Sequence, residues 1–212
     1  FQKLLKILPT YMHPDIFNAG GKPYQICNLY LDTENDELIS ASLGKPVYKE
    51  KIRLRSYGTV QVQDNVFLEI KKKYKGLVNK RRTTILLSEA YDLFSKGKNP
   101  SSKEINPQVF SEISYLLSRY KVFPKVFISY DRFAFFENKN DDFRLTFDSK
   151  ILTRRSDLQL ESEIYGTPLL DYGMLLMESK AEKTFFQELS KASKILRERM
   201  DFLRKVSEVD FE

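Results

Sequence analysis

Three cations stand two residues apart in Lys51-Ile52-Arg53-Leu54-Arg55. In an extended strand that spacing puts them on one face, with Ile52 and Leu54 on the other. The arrangement recurs. Glu69, Lys71 and Lys73 alternate with Leu68 and Ile70; Lys80, Arg82 and Thr84 share a face. Arg132 lies on the side of Tyr130, while Arg144, Thr146 and Asp148 alternate with Phe143, Leu145 and Phe147. Glu178 and Lys180 alternate with Met177 and Ser179. A sheet with one solvated face normally mixes Lys, Glu, Thr and Ser there. Here arginine is well represented and hydroxyls are few. The set Lys51, Arg53, Arg55, Lys71, Lys73, Lys80, Arg82, Arg132, Arg144 and Lys180 supplies ten cations against the three acids Glu69, Asp148 and Glu178. That excess of seven compares with a net +6 for the whole chain, so the remainder is about neutral and the charge is focused.

Crowding like charges is costly unless a polyanion occupies the space between them. Arginine presents a planar fork suited to phosphate oxygens. A few acids among the cations are what a divalent metal bridging phosphates needs. The pattern therefore points to a short, flexible, densely charged ligand: a polyphosphate chain or a nucleoside triphosphate. Duplex nucleic acid is too wide for a tunnel of this kind, and aromatic stacking platforms among the cations are scarce.

The elements that must position these residues are mostly strands. Strands are expected at Tyr24 to Asp32, Val47 to Tyr57, Val66 to Tyr74 and Leu77 to Leu87, then at Lys125 to Phe136, Asp142 to Ile151 and Gly173 to Lys180. Turns fall at Asp64-Asn65 and Lys75-Gly76. Helices are expected from Phe1 to Tyr11, closed by Pro9, and over Glu34 to Leu43, Glu89 to Ser95, Lys103 to Tyr120 and Lys183 to Val206. These read as a single α+β domain over residues 1–212. An antiparallel β-barrel or tunnel with an ionic interior, its apolar side outward under helices, satisfies both faces of the strands.

Composition agrees with a globular chain: 212 residues, 42% hydrophobic and 13% aromatic. The single cysteine, Cys27, rules out an intrachain disulfide framework and fits a reducing, cytoplasmic setting. It reads as core, as do Tyr30, Phe133, Phe135, Phe143 and Phe147. His13 is the only histidine, which excludes a multi-histidine metal site. No stretch approaches the roughly 18 apolar residues of a membrane span. Lys72 and Arg81 point away from their neighbours and are expected at the surface. The chain opens at Phe1 rather than Met, which is compatible with a fragment that lacks an upstream segment.

Taken as a set, these segments resemble the catalytic domain of the vacuolar transporter chaperone (VTC) family, polyphosphate polymerases related to the CYTH and triphosphate tunnel metalloenzymes. The resemblance rests on residues 28–33, Asn-Leu-Tyr-Leu-Asp-Thr, and 48–58, Tyr-Lys-Glu-Lys-Ile-Arg-Leu-Arg-Ser-Tyr-Gly. It continues through Phe67-Leu68-Glu69-Ile70-Lys71-Lys72-Lys73, Lys80-Arg81-Arg82, Tyr130-Asp131-Arg132-Phe133-Ala134-Phe135, residues 144–148 and Glu178-Ser179-Lys180. It implies an antiparallel tunnel that binds ATP with Mn²⁺ or Mg²⁺ and adds the terminal phosphoryl group to a growing polyphosphate chain. Carried over by motif, Arg53, Arg55, Lys71, Arg132 and Arg144 hold phosphates, Tyr130 hydrogen-bonds one of them, and Glu178 ligates the metal. Lys51, Glu69, Lys73, Lys80, Arg82, Asp148 and Lys180 line the same substrate path. The charged strand with which the family opens is not matched ahead of Phe1, and Arg204 or Lys205 stands where the family carries a late tunnel lysine. The same scaffold also suits a triphosphate hydrolase, or a non-catalytic module that senses polyphosphate or inositol polyphosphates. Membrane association through a partner is left open.

Overall fold

The computed structural model describes residues 1–18, 20–44, 46–138 and 143–181. The described residues form two compact units: 25–131 with 150–172, and 1–24 with 132–149 and 173–181. Two long strands, β6 (Phe123–Glu137) and β7 (Phe143–Arg154), contribute to both.

The larger unit is built on β2 (Tyr24–Asp32), β3 (Tyr48–Tyr57), β4 (Asn65–Tyr74) and β5 (Leu77–Leu86). Antiparallel pairing orders them β5-β4-β3-β2, followed by residues 123–131 of β6, residues 150–154 of β7 and the two-residue β8 (Thr167–Pro168). Alternation does what the sequence leads one to expect. Leu29, Leu31, Ile52, Leu54, Leu68, Ile70 and Ile85 all lie in one buried cluster. The helices α3 (Leu87–Lys96) and α4 (Pro107–Arg119) cover that cluster with Leu87, Ala90, Leu93, Val109, Ile113 and Leu116. Cys27 is fully buried in it, and burial pushes its thiol pKa up to about 11, which leaves it an inert core residue.

Local chemistry explains where the boundaries depart from expectation. The Asn106 side chain accepts from the Val109 amide at 3.1 Å and Pro107 occupies the first helical position, so α4 starts there rather than at Lys103. Asp32 accepts from the Leu38 and Ile39 amides at 2.8 and 2.9 Å, which holds the start of α2 (Glu37–Leu43) to the end of β2. Between β4 and β5, Lys75 and Gly76 both have positive φ, as a tight two-residue hairpin turn requires. Arg154 is 6% exposed and serves as an internal clasp. Its guanidinium donates to the carbonyls of Asp157, Gln159, Glu163 and Tyr165, and lies 3.7 Å from the Phe127 ring centroid and 4.6 Å from that of Tyr165.

In the smaller unit α1 (Gln2–Ile7) runs into a 3-10 turn at Leu8–Thr10 and then into β1 (Met12–Pro14), which pairs with residues 135–137 of β6. A strand β9 (Leu176–Ala181) pairs with residues 143–148 of β7. Leu4, Leu8, Met12, Phe135, Leu145 and Phe147 form its core, with Phe1, Leu5, Phe133 and Phe143 packed against them. The expected helix at 183–206, with Arg204 and Lys205, lies outside the described residues, as does Asp142.

The expectation of a closed barrel is corrected. Among the described residues β5 pairs with β4 alone and β8 with β7 alone, so the sheet is not closed. A barrel needs its two edge strands to pair. Here β5 runs straight into α3, and β8 offers only two residues. No helix of the described residues is long and apolar enough to cross a membrane.

Candidate functional site

The ionic face of β2–β5 is laid out in rows set by strand register. Tyr30, Arg53, Glu69 and Arg82 are opposed across the four strands; beside them run Asn28, Arg55, Phe67 and Thr84. On the other side Lys51, Lys71 and Lys80 form a third row, and Lys49 and Lys73 begin a fourth. Glu69, 2% exposed, is the centre of this face. Its Oε2 accepts from Arg53 Nε at 2.8 Å and sits 2.7 Å from Nη2 of the same guanidinium. Its Oε1 lies 3.5 Å from Lys80 Nζ and 3.7 Å from Arg55 Nη1. Burial works against the Glu69 charge, but Arg53, Arg55 and Lys80 outweigh it and hold the carboxyl below its usual range. Lys80 moves the opposite way from most paired lysines. Desolvation lowers its pKa, and the attraction of Glu69 does not fully offset that loss or the repulsion from Arg55 and Arg53.

Neighbours on β2 fix both arginines of β3. Arg53 Nη1 donates to the Tyr30 hydroxyl at 2.7 Å, and Arg55 Nε to Asn28 Oδ1 at 3.0 Å. Asn28 in turn donates to the Ile128 carbonyl at 3.2 Å. Sequence reasoning missed both supports. Tyr30 was expected only to pack and Asn28 was given no role, yet the signal was present: Asn28 and Tyr30 alternate with the apolar Cys27, Leu29 and Leu31. Around this fixed centre Lys71, Lys73, Lys80 and Arg82 are exposed, and Lys51 is half-buried. Arg82 stacks over Phe67 at 4.6 Å. The face is therefore a solvated cationic plane organised by one carboxylate, and the sheet's open edge explains why its outer cations meet water. Lys72 and Arg81 point to the opposite face, as expected, and meet Glu112 of α4 at 3.0 and 3.8 Å.

The smaller unit holds a second group. Arg132 grips Asp148 with two parallel bonds, Nε to Oδ1 at 2.6 Å and Nη2 to Oδ2 at 2.7 Å. Arg144 lies over the Phe136 ring at 5.2 Å, donates to the Tyr24 hydroxyl at 3.3 Å and approaches Asp15 at 3.9 Å. Register places Glu178 opposite Thr146 and Lys180 opposite Arg144; both β9 side chains are exposed. In the larger unit Tyr130 is half-buried on β6.

Among the described residues no three His, Cys, Asp or Glu side chains come together as a preformed metal cluster. The donors nonetheless fit a hard divalent ion of the kind that takes one or two carboxylates and completes its shell with phosphate oxygens and water. Glu69 and Asp148 are committed to arginines, which leaves Glu178 as the exposed acid of the three expected. Opposite it, Thr146 is 5% exposed, and its Oγ1 has no hydrogen-bond partner among the described residues. Glu178→Gln should lose Mn²⁺ binding when followed by calorimetric titration, and a variant that keeps the wild-type affinity for Mn²⁺ removes Glu178 from that role.

A solvated face with lysine and arginine in excess, set on an antiparallel sheet, has the charge to suit an anionic ligand. The chain belongs to the VTC domain family, whose model matches residues 1–208. No curated protein sequence matches it. Solved structures with a similar trace include two bacterial proteins provisionally assigned as adenylate cyclases. One, from Bacillus halodurans, is 13% identical with a TM-score of 0.49, covering 95% of this chain and 86% of its own. The other, from Vibrio parahaemolyticus, is 12% identical with a TM-score of 0.45, covering 96% and 80%. The PH1819 protein of Pyrococcus horikoshii is 14% identical with a TM-score of 0.41, covering 93% and 84%.

Proposed function

We propose that this domain is a metal-dependent polyphosphate polymerase that transfers the terminal phosphoryl group of ATP to a polyphosphate chain. The observation that carries the reading is the cationic face organised by Glu69. Family membership adds the substrate class, since phosphate chains are what the resemblance of these motifs implies. Phosphoryl transfer asks little covalent chemistry of a protein; it needs positioning and neutralisation of charge on the transferring group. Arg53 and Arg55, locked by Tyr30, Asn28 and Glu69, give fixed donors that need no reorganisation. The exposed Lys71, Lys73, Lys80 and Arg82 give an adaptable surround that accepts phosphates along a flexible chain. In the smaller unit Glu178, with Thr146 opposite it, would hold Mn²⁺ or Mg²⁺, and the ion would supply positive charge there.

The test is incubation of purified protein with ATP and Mn²⁺, with products resolved on a gel. A ladder of chains is the expected result, and intact ATP would overturn the reading. Free phosphate without chains would instead establish the second reading, a triphosphate hydrolase. That reading draws on the exposure of the outer cations, which leaves water access to anything bound there.

A further inference from the structure

One end of the β3–β5 sheet carries large apolar side chains in water. Tyr48, Tyr74 and Leu77 stand side by side in register and are 40%, 51% and 60% exposed. Val47 beside them is 62% exposed, and Leu43 at the end of α2 is 77% exposed. The pieces are held together: Lys49 Nζ donates to the Ser42 carbonyl at 3.1 Å, and the Lys75 amide donates to the Val47 carbonyl at 2.9 Å. The Lys75 ammonium lies 5.4 Å from the Tyr74 ring centroid. From Lys71 to Arg82 the hairpin carries seven cations and no acid.

Contiguous exposed apolar groups on a folded domain mark an interaction surface. Tyrosine and aliphatic side chains ringed by lysines suit one partner best, the interface of an anionic bilayer. There the apolar groups enter the headgroup region, lysine stems lie along the apolar boundary with their ammonium groups outward, and each basic residue near the surface strengthens binding about fivefold. A protein partner fits less well, because a stable protein interface takes roughly 800 Å² from each side, more than a hairpin end presents. We propose that this end of the sheet docks the domain peripherally on an anionic lipid surface. The inference does not depend on which phosphate chemistry the ionic face performs.

The experiment is co-sedimentation of the purified protein with vesicles of phosphatidylcholine, alone or with phosphatidylserine added. Wild type should sediment with the mixed vesicles roughly tenfold more strongly than with phosphatidylcholine alone. Tyr74→Ser combined with Leu77→Ser should cut that binding by about tenfold, and Lys75→Glu should cut it similarly. Melting temperature and the product gel should stay unchanged, since none of these side chains belongs to the core or the candidate site. A serine double variant that sediments like wild type would overturn the proposal, and excess polyphosphate abolishing its sedimentation would assign the lipid binding to the ionic face. Wild type that ignores anionic vesicles but binds polyglutamate would overturn it in favour of an acidic protein partner.

Discussion

Glu69→Gln should lower folding stability by an amount near the lower end of the ~3–5 kcal/mol that follows from breaking a buried ion pair. The carboxylate is 2% exposed and answers three cations, so the neutral amide leaves Arg53, Arg55 and Lys80 facing one another around a desolvated centre. Arg53 and Lys80 keep part of their side chains in water, at 20% and 44% exposure, which moderates the loss. Its pH dependence is distinctive. The fold holds the Glu69 carboxyl below the 4.5 of an ordinary glutamate, so its contribution is fully present above that value and is lost as pH falls through the lower folded-state value. Denaturant unfolding should show the gap between wild type and variant narrowing in that acid window. A gap that stays constant, or widens, would mean Glu69 is not the charged centre of this face. Added polyphosphate should restore much of the variant's stability, because a ligand that binds only the folded state stabilises it by mass action.

Arg154→Leu should be as damaging for a different reason. Leucine fills part of the slot between Phe127 and Tyr165, but the carbonyls of Asp157, Gln159, Glu163 and Tyr165 lose their donor. A buried acceptor left unsatisfied costs about 1–3 kcal/mol. The four acceptors belong to exposed residues, so water replaces part of what they lose, and a loss of about 2–3 kcal/mol is expected, roughly 5–10 °C in Tm. Arg154→Lys should rescue little, since a compact ammonium on a flexible stem cannot span four carbonyls as a planar fork does. Thermal unfolding of both variants checks this, and a Leu variant within 2 °C or so of wild type would show that the loop 155–166 holds its shape without the clasp.

These two residues show what a sequence can and cannot convey. Glu69 was legible, because alternation along Phe67-Leu68-Glu69-Ile70-Lys71 assigns it to the ionic side whatever the neighbouring strands do. Register puts Arg53 and Arg82 directly opposite it, while its partners Arg55 and Lys80 stand on the diagonals. Asn28 and Tyr30 follow the same rule but were overshadowed by the aliphatic character of their strand. Arg154 was not legible at all. Its acceptors are backbone carbonyls of an irregular loop, and main-chain groups leave no trace in residue identity. Strand faces could likewise be read but strand edges could not. Alternation says nothing about whether β5 finds a partner, which is why a closed tunnel was expected where the described strands leave β5 paired on one side only. The two-residue β8 and the short β1 carry too few residues for any period to show.

With the sheet open, tunnel width no longer argues against duplex DNA, so selectivity for phosphate chains has to come from the spacing of cations on the face. The most direct measurement is a calorimetric titration of polyphosphate into wild type, Lys71→Ala and Arg82→Ala at low and moderate salt, with duplex DNA run in parallel. Both side chains are exposed, so neither substitution should disturb the fold. Each should weaken polyphosphate binding by about 1–3 kcal/mol, roughly thirtyfold at the midpoint of that range, and should flatten the salt dependence because fewer counterions are displaced. Duplex DNA should bind far more weakly than polyphosphate at both salt concentrations. Polyphosphate affinity unchanged in both variants, or duplex binding as tight as polyphosphate binding, would contradict the assignment of this face as the phosphate-chain site.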